Sequence, residues 1–197
     1  MTEIRLHGRG GQGVVTGAEL IAIAAFYDGK QSQAFPYFGV ERRGAPIEAY
    51  ARIDDKFINL REQIKEPDIL IIQDATVLGN VDVLKGLKNN GIILINTSKD
   101  LKNIFKDFGE ISSGKIAREE ILKIKKDKKT FKLIRIDGNG IALKILGRPI
   151  VNTLMTLKLA QATNIISLKA VQKALKEKFS GETLKKNLAL MNEISVC

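Results

Sequence analysis

Apolar and polar residues alternate one by one at Ile4-Arg5-Leu6-His7, the period of a half-buried strand, before a glycine cluster, Gly8-Arg9-Gly10-Gly11-Gln12-Gly13. From Val14 to Tyr27 the period changes, and a stretch rich in Ala, Leu and Ile predicts a buried helix that Asp28-Gly29 stops. Residues 31–46 predict a short strand followed by an irregular loop. Ile47 to Ile53 alternates strictly, with Ile47, Ala49, Ala51 and Ile53 on one face and Glu48, Tyr50 and Arg52 on the other. Asp54-Asp55 offers a turn, after which Phe57 to Leu60 can return as a hairpin partner. Pro67 to Asp74 and Gly91 to Asn96 are continuous apolar runs, the pattern of parallel strands covered on both faces. A short amphipathic helix from Val81 to Asn89 between them would complete a βαβ unit.

The second half is more highly charged at first. Residues 99–132 read as a charged helical stretch, Phe131 to Asp137 as a strand, and Ile141 to Leu146 as a helix entered through Gly138-Asn139-Gly140. Gly147-Arg148-Pro149 breaks the chain, and three helices follow over 150–163, 168–179 (Ser167 as N-cap) and 182–194. Neither an internal repeat nor a flexible linker divides the sequence. The expectation is one α/β domain over 1–197, with an α/β core over 1–150 and a helical segment over 151–197.

Composition narrows the chemistry. The chain has 197 residues, 44% of them apolar, enough for an ordinary globular core. No apolar run reaches the roughly 18 residues of a membrane span, and the N-terminus enters a strand pattern at once, so a cytoplasmic protein without a membrane partner is expected. A single cysteine, Cys197, can neither close an internal disulfide nor ligate a zinc ion or iron–sulfur cluster, and no metal site is expected. Without a basic cluster beside it, Cys197 also reads as unreactive. The single histidine, His7, lies inside a strand with no nucleophile pattern to serve, so it reads as structural and no catalytic residue is assigned. Lys and Arg number 32 against 22 Asp and Glu, a formal +10 that fits nucleic acid, phosphorylated ligands or an acidic protein. The lysines of 99–132 lack interleaved aromatics for base stacking, so a solvated face is favoured there over a nucleic-acid site.

Gly8-x-Gly10-x-x-Gly13 satisfies the dinucleotide fingerprint, placed after a strand and opening a helix. Glycines allow close backbone approach, and the helix start offers free N–H groups to an anion. The fingerprint's acid, due about 20 residues later, is missing. Gln31 to Pro36 contains none, and Asp28 falls in the preceding turn. Two readings stay open, anion contact by Arg9, Gly10, Gly11, Gln12 and Gly13, or a tight turn that needs glycine only for packing. Phe35, Tyr37 and Phe38 beside Arg42 and Arg43 likewise fit a protein interface, a phosphate or carboxylate clamp, or plain packing. Asp74 and Asn96 end their strands on the carboxyl side, where open α/β sheets place ligands and where loops also need caps.

Three segments together carry a more specific signal. His7 to Thr16 (HGRGGQGVVT), Gln33 to Pro46 around Phe38-Gly39-Val40-Glu41-Arg42-Arg43-Gly44-Ala45-Pro46, and Gly147-Arg148-Pro149-Ile150-Val151-Asn152-Thr153 resemble the gamma subunits of pyruvate and related 2-oxoacid:ferredoxin oxidoreductases. The likeness covers roughly 1–98 and 133–190, and this chain departs from it at 99–132 and at Asp137 to Gly140. The resemblance implies a three-layer α/β/α sandwich with a mixed, mostly parallel sheet and C-terminal helices. It also implies a non-catalytic subunit of a complex that turns a 2-oxoacid, coenzyme A and ferredoxin into acyl-CoA, CO2 and reduced ferredoxin. Alpha, beta and delta subunits would be its partners, with thiamine diphosphate and the iron–sulfur clusters on them and no cofactor held by this chain alone. Coenzyme A would lie near Arg9 to Gly13 and near Arg42 and Arg43. The competing class is a stand-alone Rossmann-like nucleotide-binding protein, motivated by the glycine fingerprint.

Overall fold

A computed structural model describes residues 1–37, 44–116, 119–126 and 128–194, with backbone alone within 113–122. Phe38 to Arg43 and Cys197 therefore lie outside the described residues.

The first strand, β1 (Thr2–Arg9), leads through the glycine loop into α1 (Val14–Tyr27), whose bounds match the change of period in the sequence. Strands β2 (Gln31–Tyr37) and β3 (Pro46–Asp54) follow, then β4 (Ile69–Ile72), a 3-10 turn over Ala75–Gly79, and β5 (Ile92–Asn96). After a five-residue α2 (Leu101–Phe105) come β6 (Glu110–Ile116), β7 (Glu119–Lys126) and β8 (Lys129–Ile136). Four helices close the chain, α3 (Gly138–Leu146), α4 (Asn152–Thr163), α5 (Leu168–Lys178) and α6 (Gly181–Ile194). Ser167 caps α5 as its type and place predict, accepting from the Ala170 N–H at 3.0 Å.

All eight strands form one sheet in the order β2-β3-β1-β4-β5-β8-β7-β6. Its centre, β1-β4-β5-β8, is parallel, and both wings are antiparallel, giving three parallel pairings and four antiparallel ones. The sheet is mixed as expected, with six of its strands running in one direction and only β3 and β7 opposing them. One face packs on α1, α3, α4, α5 and α6 through Ile4, Leu6, Ala49, Ala51, Ile71 and Leu94. The opposite layer is thin, a 3-10 turn, the turns of 81–89 and α2, burying Leu70, Ile72, Val83, Leu87, Ile93 and Phe105.

Three local expectations are corrected. Phe57 to Leu60 form no strand, because both edges of β3 are already occupied by β1 and β2. Side chains secure that segment instead, Gln33 Nε2 donating to the Ile58 carbonyl at 3.0 Å and Arg52 to the Glu62 carbonyl at 2.7 Å. Val81 to Asn89 form turns rather than a helix. Gly86 sits there at φ 79°, and a Cβ on it would stand 1.9 Å from the Lys65 carbonyl oxygen, so the chain reverses where a helix would have to continue. Glu110–Ile116 and Glu119–Lys126 are strands, not helix. Pairing with the edge of β8, which seats Ile124 opposite Phe131 in the apolar layer, overrides the helical propensity of the lysines.

Candidate functional site

The parallel strands β1, β4, β5 and β8 all end on one rim of the sheet, and the glycine loop, Gln73-Asp74, Asn96-Thr97 and Gly138-Asn139 meet there. This is the rim at which parallel α/β sheets receive ligands. The loop is held rigidly. Arg9 N–H donates to Gln12 Oε1 at 2.8 Å, Gly10 N–H to the Ala45 carbonyl at 2.9 Å, and Gln12 Nε2 to Asp74 Oδ2 at 2.7 Å. Gly13 turns the chain into α1 at φ 74°, with no side-chain cap. The first helical bond runs from Gly17 N–H to the Gly13 carbonyl at 2.9 Å, leaving the N–H groups of Val14, Val15 and Thr16 without helical acceptors.

Asp74 and Asn96 act as loop caps. Asp74 accepts from Thr76 N–H and from Gln12. Burial opposes its ionisation, yet the hydrogen bonds from Thr76 and Gln12 outweigh it and hold its carboxyl below the usual value. Asn96 donates to the Gln73 carbonyl at 2.9 Å and accepts from Gly138 N–H at 2.9 Å, tying β4 and β5 to the start of α3. Arg9 is likewise occupied by protein. Its guanidinium donates to Thr76 Oγ1 at 2.8 Å, to the Gly44 carbonyl at 3.0 Å and to Asn80 Oδ1 at 3.1 Å, with Asp74 at 3.7 Å. Here it clamps the glycine loop to the two loops beside it.

A groove runs along the rim. At one end a cavity of about 440 Å³ is lined by Gly11, Gly13, Thr16, Arg148, Asn152 and Lys186, among others. At the other end a polar cavity of about 510 Å³ is lined by Gln12, Gln73, Asp74, Asn96, Lys99 and Asn139 among its residues. The stretch joining them passes Gly10, Gly11 and Gln12 on one side and Arg148, Pro149 and Ile150 on the other. Neither Arg148 nor Lys186 has an acid within ion-pair distance among the described residues. The structure thus brings Gly10, Gly11, Gln12 and Gly13 to the groove, turns Arg9 into its scaffold, and leaves Arg42 and Arg43 outside the described residues. Reasoning from sequence did not single out Arg148 and Lys186 as site residues. Arg148 lies in the conspicuous Gly147-Arg148-Pro149 break, whereas only folding brings Lys186 of α6 beside the loop.

His7 lies buried inside β1. It is 2% exposed and accepts from Arg5 Nε at its own Nε2, 3.1 Å away, which places its proton on Nδ1, 3.6 Å from Glu48 Oε1. Burial, and secondarily the Arg5 guanidinium, push its pKa down to about 3, so at neutral pH no ion pair with Glu48 exists. The glycines beside it pack closely. A Cβ on Gly17 would stand 2.9 Å from Gln73 Nε2 and 3.3 Å from Leu6 Cδ2. Gly17→Ala is expected to lower stability by about 2 kcal/mol in thermal unfolding, and an unchanged transition would show that Gln73 has room to move.

The fold is that of a subunit-type α/β domain of the oxidoreductases that act on 2-oxoacids. The chain belongs to the pyruvate ferredoxin/flavodoxin oxidoreductase family, which matches residues 3–194. It is 50% identical to the pyruvate synthase subunit PorC of Methanocaldococcus jannaschii over 95% of this chain and 91% of that one. It is 48% identical to the pyruvate/ketoisovalerate oxidoreductases common subunit gamma of Thermococcus kodakarensis, over 98% of this chain and 95% of the other. The crystal structure of the pyruvate oxidoreductase subunit PORC of Thermotoga maritima superimposes with a TM-score of 0.76 at 32% identity, covering 98% of this chain and 94% of its own. The chain is a gamma-type subunit of a multi-subunit oxidoreductase, and the stand-alone Rossmann-like alternative is not favoured. Among the described residues, no helix is long and apolar enough to cross a membrane.

Proposed function

We propose that this chain is the supporting subunit of a pyruvate-oxidising complex, where it docks alpha, beta and delta subunits and completes the site that receives coenzyme A. The observation that carries the coenzyme reading is the rim groove, in which Gly13 and Thr16 at the start of α1 lie with Arg148, Lys186 and Glu182 around one cavity. A pyrophosphate or phosphate fits such a place, since guanidinium, ammonium and helix-start N–H groups all favour multiply charged oxygens. The polar cavity beyond Gln12 continues the groove, so an extended ligand can lie along the rim. In this reading Gly10, Gly11, Gln12 and Gly13 form the floor and Arg9 keeps it rigid. Arg42 and Arg43 are proposed to add further cations, and the aromatic segment around Phe35 and Tyr37 to meet the catalytic subunits. Thiamine diphosphate and iron–sulfur clusters on those subunits supply the decarboxylation and electron-transfer chemistry.

The common-subunit name of the Thermococcus relative supports sharing between a pyruvate and a branched-chain 2-oxoacid enzyme. The purified chain alone is expected to show no 2-oxoacid oxidation, whereas the reconstituted complex turns over. Robust activity from the isolated chain would defeat the proposal. In the complex, Arg148→Ala and Lys186→Ala are each expected to raise KM for coenzyme A about tenfold with kcat little changed, the effect of losing one charged hydrogen bond. A KM that stays put in both variants would move the coenzyme elsewhere.

A further inference from the structure

The groove leaves most of the positive charge unexplained, and the β6-β7-β8 wing carries a concentrated share of it. Antiparallel register places Lys123 directly opposite Lys132, and Lys125 opposite Thr130. On the far side of β7, Lys123 faces Ser112 and Lys125 faces Glu110. Towards the β7–β8 turn, one face of the wing therefore shows Glu110, Ser112, Lys123, Lys125, Thr130 and Lys132, all polar and none aromatic. Lys123 and Lys125 are exposed and Lys132 half-buried, and none has an acid within ion-pair distance among the described residues. The neighbouring Ile134 and Ile136 of β8 already belong to the helix-covered core, so the lysines begin where that cover ends.

Two features separate this face from an ordinary solvated one. Like charges directly opposite each other weaken a strand pair, yet Lys123 and Lys132 hold that position. Lysines that merely block edge-to-edge aggregation belong on the edge strand. Here the edge strand β6 contributes Glu110 and Ser112, and the lysines sit on the interior strands β7 and β8. At the tip, Lys128 adds another exposed cation at φ 66°, a conformation that asparagine or glycine would adopt more easily.

We propose that this lysine face steers and docks a small acidic electron-carrier protein, an inference that rests on the oxidoreductase reading above. Among the described side chains of the face outside the helix-covered core there is no apolar anchor, which suits a transient, charge-guided encounter rather than a permanent subunit contact, richer in apolar surface. Among its described residues the face has neither stacking aromatics nor arginine forks, which argues for an acidic protein over a nucleic acid.

The test uses the assembled complex carrying K123E or K132E, each of which turns the like-charged cross-strand pair into an opposite-charged one. Expected are an unchanged or raised Tm, unchanged turnover with methyl viologen, and kcat/KM for ferredoxin lowered roughly three- to tenfold at low ionic strength. That loss should fade as salt is raised. Unchanged ferredoxin dependence alongside intact methyl viologen turnover overturns the lysine face while leaving the oxidoreductase reading in place. Parallel loss of both activities also overturns it, as does salt-resistant retention of the wild-type complex on duplex DNA that K123E abolishes.

Discussion

Gly13→Ala is expected to destabilise the fold by about 3 kcal/mol, lowering Tm by roughly 6–12 °C, and to close the cationic end of the groove. Two effects add. The residue sits at φ 74°, where a side chain is strained by about 1 kcal/mol. A Cβ there would also stand 2.6 Å from Asn152 Nδ2. Asn152 has little freedom to withdraw, since it is 5% exposed and its Oδ1 accepts from Thr153 N–H at 2.8 Å. Gly11→Ala is the control. Its φ of 92° is as unfavourable, but nothing lies within 4 Å of the added methyl, so a loss of only about 1 kcal/mol is expected. Equal losses at the two positions would mean that backbone strain alone, and not the contact with α4, makes Gly13 necessary.

Acid is expected to weaken the protein through His7. Its pKa is about 3 in the folded chain against 6.5 for the free side chain. Above pH 6.5 both folded and unfolded forms are neutral there, and the residue adds no pH dependence. As pH falls from 6.5 towards 3, the unfolded chain takes up a proton that the folded chain refuses, so stability declines across that window, on the order of 5 kcal/mol in all. His7→Gln keeps an acceptor for Arg5 Nε and removes the titration. The difference between the stability–pH curves of wild type and variant isolates the histidine from the carboxylates, which titrate in both. Parallel curves between pH 6.5 and 3 would show that His7 is protonated without unfolding.

Much of the chain was legible where the signal is local. The bounds of α1 follow from a change of period and a stop at Asp28-Gly29, and the start of α5 from a serine whose hydroxyl meets the Ala170 N–H. The apolar runs of β4 and β5 read as buried parallel strands because both faces are covered, which leaves no alternation. The glycine loop was recognisable as a turn between strand and helix, but the role of Arg9 was not. A guanidinium beside such a loop suits an anion equally well, and only the approach of Thr76, Gly44 and Asn80 engages it otherwise. Lys186 carried no signal at all.

The sequence alone determined that this is an α/β chain poor in reactive groups, with one histidine and one cysteine, and its motifs already carried the likeness to a supporting subunit. Periodicity, caps and glycine spacing act within a few residues, so they survive without the fold. Tertiary structure decided what depends on distant partners. It made strands of Glu110–Ile116 and the lysine-rich Glu119–Lys126, because β8 offered an open edge to pair, and it kept Phe57 to Leu60 out of the sheet, because β3 had none left. It also tied Arg9 to Thr76, Gly44 and Asn80 and set Arg148 and Lys186 on the groove. Each of these outcomes is a competition between groups far apart in the chain, settled only when the sheet order brings them together.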